Sequence, residues 1–247
     1  MKVLVVGESW MKHTIHVKGF DSFQTSNYEE GAGVFLSALN SAGYDVTYVR
    51  SHEVSASFPS TAEALACFDV VVISDVGANT FLLGDDTFFR SQRVPNKLEV
   101  LANFVRDGGG LVMVGGYMSF TGIDAKARYK QSALADVLPV ELLDIDDRVE
   151  CPEGALIQVL NSKHPIVQGI DGAWPALLGY NRVTPIMGSE TILSVNGEIL
   201  LSVADIGSGR SVAFTSDLAP HWAPPEFLEW HHYAGFWTEI VSWASGG

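Results

Sequence analysis

The segment LVMVGGYMSF, residues 111 to 120, joins an apolar run to two glycines and then presents Tyr117. A buried strand that ends in a sharp glycine turn lifts one side chain to the top of an α/β sheet, the position from which nucleophiles act. A phenol with an ordinary pKa of about 10 is a poor acyl acceptor near neutrality. Gly115, Gly116, Tyr117, Met118 and Ser119 therefore combine an enzyme-like turn with a side chain unsuited to nucleophilic attack. Near the carboxyl end, after SVAFT, come a carboxylate, Asp217, and an imidazole, His221. Other strand ends carry Glu8, Ser9 and Trp10, then Ser74, Asp75 and Asn79. Ligands of open parallel sheets collect outside the carboxyl ends of the strands, so these loops should share one rim. Glu8, Ser9, Asp75, Gly115, Gly116, Met118 and Ser119 are the expected contacts of a small polar ligand, with backbone N–H groups near Met118 holding a carbonyl or anionic oxygen. Ser119 reads more simply as a turn-capping hydroxyl.

The remaining reactive residues point to structure. Cys67 precedes a strand of about 20 Å and so belongs at the opposite end of the sheet from the rim. Cys151 lies in DDRVECPEG, where acidic neighbours raise a thiol's pKa. His13 and His16, with Glu8, have the residue types of a three-ligand zinc site, but the stretch around them reads as a mobile loop and no metal is expected. His164 in a His-Pro pair shapes a turn, and His231 and His232 open the last helix as solvent-facing or capping groups. The triple glycine 108 to 110 precedes a strand rather than opening a helix, so it caps a helix and is no dinucleotide fingerprint. No cofactor is expected.

The elements that must position these residues alternate in the manner of parallel strands with covering helices. KVLVV (2 to 6), VTYVR, DVVVIS and LVMV read as strands; a helix from about Glu29 to Ser41, a short one over Ala62 to Cys67 and a third in NKLEVLANFVR lie between them. Beyond Asp144, the segments ALIQVL, TILSV, EILLSVAD and SVAFTS are shorter, and antiparallel additions to the sheet or a hairpin insertion account for them. EFLEWHHYAGFWTEIVSWAS closes the chain with Trp230, Tyr233, Trp237, Ile240 and Val241 on one helical face, a core-packing pattern. The expected fold is a flavodoxin-like, doubly wound, mostly parallel sheet with helices on both faces, and residues 1 to 247 form one domain.

Composition narrows the partners. With 15 Lys and Arg against 29 Asp and Glu, the formal charge of −14 disfavours nucleic acid, which needs a basic surface. No stretch reaches the length of a membrane span, the amino terminus reads as a strand rather than a signal peptide, and a cytoplasmic location is expected. Self-association as a homo-oligomer is expected from the aromatic surplus of the C-terminal segment.

The ordered motifs GGGLVMVGGYMSF, LADVLPVEL, HPIVQGI and SDLAPHWAPPEF span nearly the whole chain and resemble the class I glutamine amidotransferase-like superfamily, in particular a divergent branch related to ThuA-like proteins. In that superfamily an elbow cysteine attacks the glutamine amide and a C-terminal histidine moves the proton, aided by a carboxylate. The resemblance implies that Tyr117 stands in the nucleophile's place and His221 in the base's, and that the usual glutamate two residues after the histidine is absent, Ala223 standing there, with Asp217 or Glu226 as the acid that could orient the imidazole instead. The expectation is a glutaminase-inactive protein that binds a small polar ligand. Two alternatives are a hydrolase or isomerase of sugar-like substrates with His221 as base and Tyr117 as acid or electrostatic stabiliser, and a structural subunit associating through exposed aromatics of HWAPPEFLEWHHY.

Overall fold

A computed structural model describes residues 1–247. Val3 and Val5 face one side of the first strand and Leu4 and Val6 the other, and all four are buried, the signature of a strand covered on both faces. The eight-stranded sheet is built from β1 (Lys2–Gly7), β4 (Asp45–Val49), β5 (Val70–Ser74), β6 (Gly110–Val114), β9 (Ile157–Val159), β12 (Glu190–Val195), β13 (Glu198–Ile206) and β14 (Gly209–Phe214). Its order is β4-β1-β5-β6-β14-β13-β12-β9. The first five strands are parallel and the last three antiparallel, so the flavodoxin-like expectation holds, antiparallel C-terminal additions included. The SVAFT segment is the fifth parallel strand, paired directly with β6.

The helices Gly33–Ser41 and Tyr233–Ala244 cover one face, where Phe35 and Trp237 meet edge to face with ring centroids 5.2 Å apart. Helix Lys97–Arg106 covers the other with Leu98, Leu101 and Val105; Asn96 caps its start, and Gly108 and Gly109 close it as the glycine run predicted. His164 likewise caps the turn Pro165–Val167.

Two expected helices differ. Residues Glu29 and Glu30 end a strand, and the helix starts only at Gly33, because residues 9 to 30 form a β-hairpin of β2 (Ser9–Lys18) and β3 (Asp21–Glu30) rather than a polar lead-in or loop. The C-terminal segment divides into a turn of helix, Pro225–Leu228, and the helix Tyr233–Ala244, so His231 and His232 lie between helices. His232 bonds Asp171 at 3.1 Å and its ring leans on Trp230. The aromatics of HWAPPEFLEWHHY are not an exposed surface either: Trp222, Phe227, Trp230 and Tyr233 are buried, since this segment folds back over the sheet. Two small antiparallel pairs complete the fold, β8 (Arg148–Ala155) with β10 (Leu177–Asn181), and β7 (Val140–Leu142) with β11 (Val183–Pro185).

The crevice at the carboxyl ends of β1 and β5 is the point where the strand order reverses. Gly7, at φ +101°, lets β1 end there, and a Cβ on it would lie 1.9 Å from the Ser74 carbonyl oxygen. Gly7→Ala should therefore destabilise the protein by roughly 2–4 kcal/mol, measured by urea denaturation.

Candidate functional site

Two acidic residues end the neighbouring strands in left-handed backbone, Glu8 at φ 50° and Asp75 at φ 42°. Non-glycine residues held in that region cost about 1–3 kcal/mol each and concentrate at functional sites. Glu8 is fully buried: Oε2 accepts the Ser74 hydroxyl at 2.5 Å, and Oε1 has no partner and faces Gly31. It sits below the rim rather than on it. Burial first, then the nearby Asp75 charge, pushes its carboxyl up to about 8. Asp217 is also fully buried, accepting the Ala219 N–H at 3.0 Å with its second oxygen unpartnered, and burial followed by Glu8 and Asp75 raises its pKa well above the ordinary value.

Asp75 reaches across to the turn after β6. Its Oδ1 accepts the Met118 N–H at 2.6 Å, and its own N–H is donated to the Ser119 hydroxyl at 3.2 Å. The backbone donor expected to hold a substrate oxygen is thus engaged by a carboxylate of the protein itself. Burial raises the Asp75 pKa, while the Met118 N–H, His221 and the Tyr117 N–H oppose the rise. Ser119 caps the neighbouring loop rather than its own turn, and the Ser9 hydroxyl accepts the Ser51 N–H at 2.8 Å.

No helix follows β6 at once; residues 116 to 121 run in turns, and the positive φ of 141° falls on Gly116 rather than on Tyr117. A Cβ at Gly116 would lie 2.8 Å from Asp75 Oδ1, so only glycine admits the carboxylate. Asn181 clamps this turn: its Oδ1 accepts the Gly116 N–H at 3.0 Å, and its Nδ2 donates to the Gly116 carbonyl at 3.2 Å and to Asp147 at 2.8 Å. Asp147 in turn accepts the N–H groups of Thr121 and Gly122.

The structure brings Tyr117 and His221 together, with ring centroids 5.2 Å apart and planes 15° from parallel. Trp10 lies 5.8 Å from His221, and the Arg148 guanidinium 4.6 Å from the Tyr117 ring. The Tyr117 hydroxyl donates to Glu150 Oε1 at 2.9 Å and the Trp222 indole N–H to Glu150 Oε2 at 3.0 Å. Burial and the Glu150 bond push the phenol's pKa up. Gly179 makes room for that indole, since a Cβ there would lie 2.3 Å from Trp222 Nε1. His221 Nδ1 is 4.0 Å from Asp217 Oδ2, beyond hydrogen-bond reach. Glu226 is exposed in the turn of helix after it.

Arg148, Glu150, Asn181 and Asp147 escape the sequence reading. Alternation in DRVE marks a strand, but nothing marks the turn it faces. Cys67 precedes β5, at the strand end away from the rim, and is exposed. Cys151 is buried in β8 with Asn196 as neighbour at 3.7 Å; burial is the first cause of its raised pKa, ahead of Glu153 and Glu150. His13 and His16, three apart on a strand, point to opposite faces of the hairpin and bond Ser26 and Thr25. A cavity of about 310 Å³ lies away from this rim, beside Phe58, Phe81 and Lys97, and the Lys97 ammonium there donates to the Val54 and Ser55 carbonyls.

The model of the GATase1_like family, described as "Putative glutamine amidotransferase", matches residues 2–245. No curated protein matches the chain. Among solved structures, the cytoplasmic protein STM1381 from Salmonella typhimurium LT2 is 49% identical and the cytoplasmic protein STM3548 from Salmonella typhimurium 44% identical; each aligns over 99% of both chains with a TM-score of 0.96. A protein from Bacteroides uniformis described as ThuA-like shares the fold, at 12% identity and a TM-score of 0.56 over 100% of this chain and 93% of its own. No helix is long and apolar enough to cross a membrane.

The proton on Glu8 gives a stability test. A carboxyl whose folded pKa is raised from 4.5 to about 8 favours the fold fully below pH 4.5 and loses that contribution as pH rises toward 8. Glu8→Gln keeps the Ser74 partner and cannot ionise, so its stability relative to wild type should grow by a few kcal/mol over that interval in denaturant titrations at each pH. A constant difference would contradict a protonated Glu8.

Proposed function

This chain belongs to the glutamine amidotransferase-like family, and within it we propose a member without glutaminase activity that binds a small polar ligand at the strand-end rim. Glutamine hydrolysis by the family's route needs a thiolate, free N–H groups for the oxyanion and an oriented imidazole. The observation that carries the reading is the 2.6 Å bond from the Met118 N–H to Asp75. A resident carboxylate there displaces a developing oxyanion and repels it. Tyr117 in the nucleophile's place and the 4.0 Å separation of His221 from Asp217 support the same reading.

What remains at the rim are the planar faces of Tyr117, His221 and Trp10, with Glu150 and Arg148 at the edge. Donors and acceptors beside flat faces suit a neutral molecule bearing hydroxyl or amide groups. Glu8 and Asp217, both buried, act beneath the site by tying its strand ends through the Ser74 hydroxyl and the Ala219 N–H. The family match over residues 2–245 supports one domain, and the description of the Salmonella relatives supports a cytoplasmic location.

A second reading, hydrolysis or isomerisation of a sugar-like substrate with His221 as general base, is favoured by one observation. The His221 side chain is 45% exposed and so is open to a substrate. A bell-shaped pH–rate profile abolished by His221→Ala would select it.

Ammonia release from L-glutamine tests the leading reading. Wild type and Tyr117→Cys should both give none, and Tyr117→Cys with Asp75→Ala should give more than either. Turnover by wild type would contradict the proposal. For binding, L-glutamine and D-glucose serve as probes of the Trp10 and Trp222 indole N–H signals in NMR; shifts induced by either should vanish in Tyr117→Phe/His221→Ala. Shifts unchanged in that variant would contradict a ligand at this rim.

A further inference from the structure

Asp171, His231 and His232 bring their donor atoms to one patch of the surface, all within 4.8 Å of one another. The two histidines occupy the turn between helices Pro225–Leu228 and Tyr233–Ala244, with ring centroids 3.9 Å apart. Asp171 comes from a separate loop, between Gly169 at φ 81° and Gly172 at φ 78°. Its only ion pair is with His232, Nε2 to Oδ1, at 3.1 Å. Nε2 also faces the Asp171 N–H at 3.4 Å, and in the tautomer that accepts this N–H, Nε2 and Oδ1 are two lone pairs turned toward each other. Two ligands of one tetrahedral zinc, each bonded at about 2 Å, stand roughly 3.3 Å apart. The observed separation is close to that bite.

Two tryptophans hold the two segments together. Trp174, in the stretch that follows Asp171, packs on Trp230, beside the histidines, with centroids 4.7 Å apart, and meets Phe236 of the last helix edge-on at 5.3 Å. Trp230 is buried, and the His232 ring leans against it at 5.1 Å. Packing therefore sets the backbone that carries the three donors without help from an ion. Asp171 and His231 are themselves exposed, so a cation in solution reaches them.

We propose that Asp171, His231 and His232 form a three-ligand site for a zinc-class divalent cation, with water completing the coordination. Two imidazoles and one carboxylate select the metal: Ca²⁺ and Mg²⁺ take oxygen ligands, whereas imidazole suits Zn²⁺ and its neighbours Co²⁺, Ni²⁺ and Cu²⁺. The carboxylate also offsets the positive end of helix Tyr233–Ala244, which opposes a cation beside His232. Asp171 and His232 lie 61 positions apart, so the bound ion cross-links the loop of residues 169 to 172 to the turn before the last helix.

Isothermal titration of Zn²⁺ into the whole chain, freed of metal with EDTA, tests the proposal. Wild type should bind one Zn²⁺ per chain at this site, and millimolar Mg²⁺ should leave the affinity unchanged. His231→Ala, His232→Ala and Asp171→Ala should each weaken binding by about tenfold or more, and His13→Ala/His16→Ala on the hairpin should not alter it. The Trp174–Trp230 contact does not involve the three donors, so circular dichroism of the variants should match wild type. Co²⁺ gives a readout on wild type alone: its paramagnetism should broaden the Trp174 and Trp230 indole N–H signals in NMR ahead of that of Trp10, which lies beside His221. No Zn²⁺ binding by wild type, binding that survives His231→Ala and His232→Ala alike, or broadening that begins at Trp10 would overturn the proposal.

Discussion

The hydrogen bond from the Met118 N–H to the Asp75 carboxylate is the contact on which the site is built. It ties the end of β5 to the turn after β6, and it requires glycine at position 116 because any Cβ there would meet the carboxylate. It also accounts for the left-handed backbone of Asp75, which aims a side chain across the crevice instead of along it. With Asp75 so placed, Glu8 and Asp217 are buried near a charge, and both are driven toward their protonated forms. One polar contact thus fixes a loop and selects a glycine, while burial first and the Asp75 charge after it set the ionisation of the two neighbours.

The second layer of the site depends on the first. The turn fixed by Asp75 is clamped from the opposite side by Asn181, itself held by Asp147. Between these clamps Tyr117 projects outward, where Glu150 accepts its hydroxyl hydrogen bond and His221 lies against its ring. In this turn the Gly116 and Met118 N–H groups and the Tyr117 hydroxyl are all engaged by side chains of the protein. That suits recognition of a ligand by fixed surfaces better than chemistry that needs a free donor for a developing charge.

Much of this was legible in the residues themselves. The β-branched runs KVLVV, VVVIS and LVMV can only be covered strands, and their order with the helices leads to a parallel sheet whose loops share a rim. The proximity of Tyr117 and His221, 104 positions apart, follows from that topology. The hairpin was not legible as a strand pair, because SWMKHTIHVK and DSFQTSNYEE are polar enough to pass for a loop and bury almost nothing. Nor was the partner of the Met118 N–H. Sequence places Asp75 at a strand end, but only the φ of 42° shows that its carboxylate turns toward β6. The C-terminal aromatics carried a helical pattern that holds from Tyr233 onward, whereas Trp230 precedes that helix, and Trp222 and Phe227 are buried instead of forming an exposed surface.

The Met118 amide reports most directly on the central contact. In proton–nitrogen NMR its signal should be shifted far downfield and slow to exchange with solvent in wild type, and should move upfield and lose protection in Asp75→Ala while the strand amides of β6 stay protected. A Met118 amide that exchanges freely in the wild-type protein, or that is unaffected by Asp75→Ala, would mean that the donor is open to a ligand and that the site retains what an oxyanion requires.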